Sequence, residues 1–300
     1  ISALSVNDNC IDFYIKPGPA GKAASIDYYP KTSFIKLKNE SITVQDSVQK
    51  RLKIDRDWVL NKNNFNAYGE INDTSGVDTL YRNIYDPSTF TGVVFKESLE
   101  KYGVRVKTIS KKKTSNKSYK KVSNHLSKPL IHSATNLMNE SDNLSAELFV
   151  KSIGALDTLP GTWKVGLDSI KSFLAKKVLI DTSNIRLADA SGVSRYNLTS
   201  AAQLNSLLKW MYNSEYKDDF ISTLPGGGWK NSTLEKRLID EGNLVRAKTG
   251  GLSGVRNLAG YIKSKKYGDV AFSILMNGYT DYSSRYARVH DQIVKSIIYD

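Results

Sequence analysis

The chain has little of what a disulfide or a metal site requires. Its 300 residues include one cysteine, Cys10, so neither an internal disulfide nor a zinc cluster of cysteines can form. The three histidines, His125, His132 and His290, show no metal-ligand spacing among themselves. We therefore expect no metal and no cofactor.

Long apolar runs and phosphate-binding loops are also missing. The best apolar stretch, residues 270–276, has the length of a strand rather than of a membrane span, so we expect a protein that is at most peripheral to a membrane. The glycine triplet at 226–228 precedes Trp229 and predicts a turn. Because the chain opens on Ile1, we expect that a signal peptide, a longer segment, or both have been removed upstream.

Positive charge is abundant and concentrated. The formal net charge is +13, and seven lysines occur between residues 107 and 121 without an acidic residue among them. They are Lys107, Lys111, Lys112, Lys113, Lys117, Lys120 and Lys121. Such a segment is typical either of a solvated surface loop or of a site for an anionic envelope polymer. Apart from Tyr119 it lacks aromatic residues on which bases stack, so we expect no nucleic-acid partner.

The two halves of the chain differ in pattern. Residues 1–130 alternate short β-like runs with turn signals, which predicts a β-rich accessory region made of two small inserted subdomains. One helix interrupts this region at about 91–102, and we expect a strand at 104–109 to follow it.

Residues 131–300 predict an α+β domain. Two helices meet at a break at 139–142, and Ser200 with Gln203 forms a capping-box pair that begins another helix. Strands are expected at 244–248, 258–263 and 269–277, followed by a closing helix that carries Val289, Ile293 and Ile297. This order favours a helix packed on an antiparallel sheet.

Three polar strings stand at the junctions of these elements. Ser141-Asp142-Asn143 lies at the interhelical break, Lys248-Thr249-Gly250 ends a strand, and residues 189–195 form a polar loop before the capped helix. Taken singly, the first is explained by a helix N-cap and the second by chance in a lysine-rich chain. Together, Ser-Asp-Asn and Lys-Thr-Gly are two of the three motifs of serine acyltransferases of the β-lactamase and penicillin-binding type, and here they occur in the required order.

Longer strings extend this resemblance from end to end. The chain resembles the class C low-molecular-mass penicillin-binding proteins, which are D-alanyl-D-alanine carboxypeptidases and endopeptidases. The similar strings are residues 3–9, 85–87, 141–147, 191–199 and 246–250. The resemblance implies a serine β-lactamase/transpeptidase-like domain at 131–300, with an antiparallel sheet and flanking helices. It also implies an exported protein of the periplasm or cell envelope, whose partners are peptidoglycan peptides and β-lactam antibiotics.

The resemblance implies catalytic roles for three residues. Ser141 would be a hydroxyl proton relay beside the nucleophile, and Asn143 would orient the amide of the substrate. Lys248 would supply a fixed positive charge near Ser141. The implied reaction is attack of a serine on the penultimate D-alanine carbonyl, followed by hydrolysis of the acyl-enzyme.

Three further residues are implied in substrate binding. Thr249 would hydrogen-bond the terminal carboxylate, Gly250 completes the motif, and the Gly251 N–H would form half of the oxyanion hole. Members commonly carry Thr or Ser directly after Lys-Thr-Gly. Gly251 keeps the backbone donor but lacks the hydroxyl, which puts carboxylate binding in doubt.

The nucleophile of the family is the serine of a Ser-x-x-Lys motif on a buried helix. Five matches to that pattern occur here: Ser33/Lys36, Ser47/Lys50, Ser98/Lys101, Ser110/Lys113 and Ser118/Lys121. None stands at the start of an expected buried helix. In the family this motif lies upstream of the stretch that residues 1–9 resemble. The resemblance therefore implies a nucleophile upstream of Ile1, in cis or on an N-terminal fragment held as a separate chain.

Two other functions remain open from the sequence. One is a catalytically inactive relative that binds wall peptides or scaffolds envelope proteins. The other is a basic module that binds anionic polymer through the lysines at 107–121. A Ser-x-x-Lys motif in an upstream segment would favour the enzyme.

Overall fold

The computed structural model describes residues 1–46, 51–111, 120–157 and 160–300. The chain divides into two units, residues 1–122 and residues 123–300. The division predicted from the sequence at 130/131 remains a prediction about independent domains. Lys112, Lys113 and Lys117 of the basic segment lie outside the described residues, as do Ser47, Lys50 and Ser118.

The described residues of the first unit form two three-stranded sheets and one α-helix. Its elements are β1 (Cys10–Lys16), β2 (Ser25–Tyr29), β3 (Lys36–Val44), β4 (Lys53–Arg56), β5 (Asn64–Asn72), β6 (Asp78–Asn83) and α1 (Pro87–Lys101). One sheet has the order β2-β1-β6, and the other has the order β3-β5-β4 with β3 and β5 parallel. Alternate residues such as Phe13 and Phe65 are fully buried and belong to one core cluster.

Helix α1 begins earlier than the sequence predicts. Asp86 is its N-cap, accepting a hydrogen bond from the Thr89 N–H, and Pro87 provides the fixed φ of the first turn. The buried residue of the helix is Phe90, ahead of the predicted start. The strand predicted at 104–109 is wrong, since that stretch is irregular and exposed except for Val106, which is half-buried.

The second unit is a sheet flanked by helices, which confirms the predicted α+β fold. Its helices are α2 (Leu130–Glu140), α3 (Asn143–Asp157), α4 (Trp163–Lys176), α5 (Ala201–Tyr212), α6 (Lys217–Thr223) and α7 (Ser283–Tyr299). Its strands β7 (Val245–Leu252), β8 (Val255–Ser264) and β9 (Gly268–Asn277) pair antiparallel in that order. Both hydrogen bonds of the capping box at Ser200 and Gln203 are present.

The closing helix α7 packs one face on the sheet core, as predicted, and Ile297 of the three apolar residues named from the sequence contacts that core. Its buried residues are Ala287, His290, Val294 and Ile298. Val289 is 39% exposed and Ile293 is 37% exposed. Because the apolar arc covers both sets of positions, periodicity alone did not identify the buried one.

Candidate active site

The break between α2 and α3 fixes the backbone conformation of Ser141. Ser141 ends α2 with φ 61° and ψ 49°, in the left-handed region, and its N–H donates to the Leu137 carbonyl. This region is unfavourable for a residue other than glycine. Such backbone strain is common at functional sites, where a side chain must take one fixed direction. Asp142 then caps α3 by accepting from the N–H groups of Leu144 (2.9 Å) and Ser145 (3.2 Å).

Lys248 reaches this break from the middle of β7. Its Nζ donates to Ser141 Oγ at 2.7 Å and to the Thr249 carbonyl oxygen at 3.0 Å. Burial of the ammonium group lowers the pKa of Lys248 to about 8. The fold therefore joins two motifs 107 residues apart through one hydrogen bond.

The remaining predicted residues lie near this pair. Thr249 and Gly250 line a cavity of about 670 Å³ together with Lys248. Asn143 is exposed in the first turn of α3, two residues after Ser141, and Gly251 is exposed near the end of β7. The cavity is also lined by Ser194, Arg195, Leu204 and Leu208.

The backbone of β7 presents alternate N–H groups to its outer edge. Pro225 accepts a hydrogen bond from the Ala247 N–H at 3.0 Å, on the side of β7 away from β8. Because neighbouring residues of an antiparallel strand point their N–H groups to opposite sides, the N–H groups of Thr249 and Gly251 face this same outer edge. The Gly251 N–H is thus available to an acceptor that lies along β7.

A polar loop at 189–197 forms another wall. Asp189 accepts from the N–H groups of Gly192 (2.9 Å) and Ser194 (2.6 Å) and from Asn197 Nδ2 (2.6 Å). Arg195 Nη2 donates to the Ser253 carbonyl at 2.7 Å, which ties the loop to the β7–β8 turn.

Glu147 anchors the same loop and was given no role by the sequence analysis. Its side chain is buried in α3, and Oε1 accepts from the Ser191 N–H at 2.9 Å and the Ala190 N–H at 3.2 Å. Oε2 accepts from Trp163 Nε1 at 2.6 Å. The signal in the sequence is a carboxylate one helical turn after the apolar Leu144, because a carboxylate on a buried helix face needs several donors.

Neither Ser33 nor Ser98 has the setting of an activated nucleophile. Ser33 Oγ donates to Glu97 at 2.6 Å, and Lys36 begins strand β3, so that pair does not share a helix. Ser98 and Lys101 are one turn apart on α1, but both are exposed. The acyl-transfer chemistry needs the lysine beside its serine in a dry site, which an exposed pair does not provide.

Within the ranges that the structure covers, no three His, Cys, Asp or Glu side chains converge as metal ligands would. The same ranges contain no helix with the length and apolarity needed to cross a bilayer.

The groups that converge at Ser141 and Lys248 are hydroxyls, backbone amides and an ammonium group. Such groups stabilise developing negative charge on an oxygen atom.

Comparison with known protein families identifies the family of this chain. Residues 1–296 match the D-Ala-D-Ala carboxypeptidase 3 (S13) family. The chain belongs to this family. The resemblance to low-molecular-mass penicillin-binding proteins, predicted from five short strings, is thereby confirmed.

Two relatives illustrate how much of the chain is matched. A D-alanyl-D-alanine carboxypeptidase of Actinomadura sp. is 30% identical over 296 residues, which is 93% of this chain and 54% of that protein. D-alanyl-D-alanine carboxypeptidase DacB of Haemophilus influenzae is 34% identical over 160 residues, 52% of this chain and 33% of the relative. The chain thus spans about half the length of the Actinomadura relative and a third of DacB.

A solved structure shares the fold. Penicillin binding protein 4 of Haemophilus influenzae, in complex with a β-lactam, superimposes with a TM-score of 0.80 at 22% sequence identity. The match covers 100% of this chain and 71% of that one. It confirms the predicted serine β-lactamase/transpeptidase-like architecture.

Proposed function

We propose that the protein containing these 300 residues is a serine-type D-alanyl-D-alanine carboxypeptidase or endopeptidase. It acts on peptidoglycan stem peptides through an acyl-enzyme and is inhibited by β-lactams. The observation that carries the proposal is the 2.7 Å hydrogen bond from Lys248 Nζ to Ser141 Oγ beside a cavity, in a chain of the S13 family. Peptidoglycan lies outside the cytoplasm, so the protein is exported to the cell envelope.

The hydrogen-bond direction at Ser141 supports its role as a proton relay. A protonated lysine has donors only, so Ser141 Oγ must accept from Lys248. The Ser141 hydroxyl hydrogen is then free to point at another acceptor, such as the leaving nitrogen of a peptide. Lys248 stabilises negative charge that develops on Ser141 as the proton moves.

Backbone and side-chain donors along β7 support substrate binding at its outer edge. The Gly251 N–H faces that edge and would donate to the carbonyl oxygen of the scissile bond. The Thr249 hydroxyl, in the cavity wall, would bind the terminal carboxylate. Asn143 would orient the substrate amide from the first turn of α3.

The nucleophile comes from a Ser-x-x-Lys segment outside these 300 residues. This part of the proposal rests on the resemblance and on the unsuitable settings of Ser33 and Ser98. An S13 site needs that serine beside Ser141 and Lys248, with its lysine in a dry environment.

Labelling with a fluorescent penicillin tests this assignment. The 300-residue chain alone should form no stable acyl-enzyme, whereas a longer polypeptide that adds the Ser-x-x-Lys segment should be labelled one-to-one. Intact mass measured after labelling shows whether the adduct is covalent. Changing Ser98→Ala in the longer polypeptide serves as the control and should not alter labelling.

Two results would contradict the proposal. Covalent labelling of the 300-residue chain alone would place the nucleophile within it. Absence of labelling in the longer, folded polypeptide would favour the inactive relative that binds wall peptides.

A further inference from the structure

The turn between β4 and β5 exposes three consecutive large apolar side chains. Trp58 is 70% exposed, Val59 is 69% exposed and Leu60 is 60% exposed. Single apolar residues are common on protein surfaces, whereas a contiguous group of large ones marks a surface that meets a partner. The turn at residues 57–62 is therefore a candidate interaction site in the first unit.

The turn is ordered by its own hydrogen bonds. The Asn61 N–H donates to the Trp58 carbonyl at 3.1 Å, and the Lys62 N–H donates to the Asp57 carbonyl at 3.1 Å. Asn61 has φ 52°, in the left-handed region that asparagine tolerates in tight turns. Arg56 Nη1 donates to the Lys62 carbonyl at 3.1 Å. A fixed backbone therefore presents the apolar side chains to solvent.

The same end of the sheet carries positive charge. Lys36, at the start of β3, donates its N–H to the Asn63 carbonyl at 3.1 Å, and the side chains of Lys36 and Lys62 are exposed. Residues 56–63 contain two cations and one carboxylate, that of the half-buried Asp57. With a formal net charge of +13 on the whole chain, this end of the sheet is attracted to an anionic surface.

A tyrosine flanks the base of the turn. Asn63 Nδ2 donates to the Tyr85 carbonyl at 3.0 Å, and the Tyr85 N–H donates to Asn63 Oδ1 at 2.7 Å. The Tyr85 side chain is exposed. A tryptophan at the tip with a tyrosine and lysines at the base is the combination of side chains that favours the boundary between a membrane and water.

We propose that the turn at residues 57–62 inserts into the surface of an anionic phospholipid membrane. Acyl chains surround an apolar tip on all sides, whereas a protein partner would need a pocket shaped to it. The three apolar side chains would reach about 5–10 Å into the boundary between headgroups and acyl chains. Lys36 and Lys62 would then lie among anionic headgroups, which attract them. The proposal concerns the first unit alone and does not depend on the peptidase function.

Sedimentation with lipid vesicles tests the proposal on the longer polypeptide described above. The vesicles contain phosphatidylcholine alone or phosphatidylcholine mixed with phosphatidylglycerol, and the unmodified protein should bind the anionic mixture more tightly. Trp58→Ser combined with Leu60→Ser should lower the partition coefficient roughly 10- to 100-fold, because the apolar surface that enters the membrane is lost. Tyr102→Ser combined with Leu179→Ser removes two exposed apolar side chains elsewhere and should leave binding unchanged.

Two further variants separate insertion from attraction by charge. Trp58→Phe keeps an apolar tip and should bind nearly as well as the unmodified protein. It should lose most of the quenching of tryptophan fluorescence by brominated acyl chains, because Trp58 is the tryptophan that contacts them. Lys36→Glu combined with Lys62→Glu should weaken binding to the anionic vesicles and leave binding to the neutral vesicles unchanged.

Three results would overturn the proposal. Failure of the unmodified protein to bind either kind of vesicle would exclude the membrane and favour a protein partner at this turn. Full binding by the folded variant with Trp58→Ser and Leu60→Ser would assign membrane binding to another part of the chain. An equal loss in the variant with Tyr102→Ser and Leu179→Ser would show adsorption through any exposed apolar residue. Circular dichroism shows that each variant is folded.

Discussion

At the scale of single residues, burial disfavours the charged form of Lys248. Burial lowers its pKa to about 8, and its two hydrogen bonds go to a hydroxyl and a carbonyl rather than to a carboxylate. No carboxylate of the described residues pairs with this cation, which is held beside Ser141. It is arranged to stabilise negative charge that appears only during a reaction.

Removing that cation should slow acylation while leaving the fold intact. For Lys248→Ala in the longer polypeptide, we expect the second-order rate of acylation by a penicillin to fall roughly 10²- to 10³-fold, or about 2.7–4 kcal/mol. Stopped-flow or gel-based labelling measures the rate, and circular dichroism checks the fold.

Lys263→Ala is the matched control, because Lys263 is an exposed lysine on β8. It should acylate at the rate of the unmodified protein. If Lys248→Ala acylated within a few-fold of that rate, the assignment of Lys248 would have to be abandoned.

At the scale of elements, α7 meets the sheet through a buried histidine. His290 is fully buried, and neither ring nitrogen has a hydrogen-bond partner among the residues described. Burial, together with the charges of Arg237 and Arg256, lowers the pKa of His290 from 6.5 to about 4. Asp291 opposes that shift. The imidazole is therefore neutral in the folded protein at neutral pH.

This shift predicts a loss of stability in mild acid. Between the unfolded pKa of 6.5 and the folded pKa of about 4, the unfolded chain binds more protons than the folded one, so the free energy of unfolding falls as the pH is lowered. His290→Leu should remove this part of the pH dependence. Urea denaturation at neutral pH and at about pH 4.5 measures it.

His132, which is exposed on α2, provides the comparison. His132→Leu should keep the acid sensitivity of the unmodified protein. Unchanged acid sensitivity in folded His290→Leu would show that other groups cause it.

At the scale of the whole molecule, each unit has hydrophobic clusters of its own. Phe13 and Phe65 belong to the cluster of the first unit, while Leu258 and Val294 belong to the sheet cluster of the second. Residues 120–129, at the division between them, are irregular and exposed. We propose that the two units fold as separate domains.

Limited proteolysis tests that proposal. Trypsin should cut first at Lys120 or Lys121, because exposed backbone without secondary structure fits a protease cleft. Two resistant fragments should remain, as shown by mass spectrometry. Lys38 is an equally accessible lysine within β3 and should be spared. Early cleavage at Lys38, or rapid loss of both fragments, would argue against two stable domains.

Local signals in the sequence determined much of this protein. The capping box at Ser200, the break at Ser141 and the three strands of the second unit depend on short-range patterns, and the structure contains each of them. The family strings are equally local, and they predicted the S13 assignment and the fold. The start of helix α1 was predicted too late, because the cap at Asp86 and the proline that follows it were not used as start signals.

Only the tertiary structure decided which distant residues meet. The apolar arc of α7 offers Val289 and Ile293 as well as Val294, and contact with the sheet selects the last. The same holds at the site, where no short-range pattern links Lys248 to Ser141. Periodicity specifies a face to within one residue at best, whereas packing against a partner requires one orientation of each side chain.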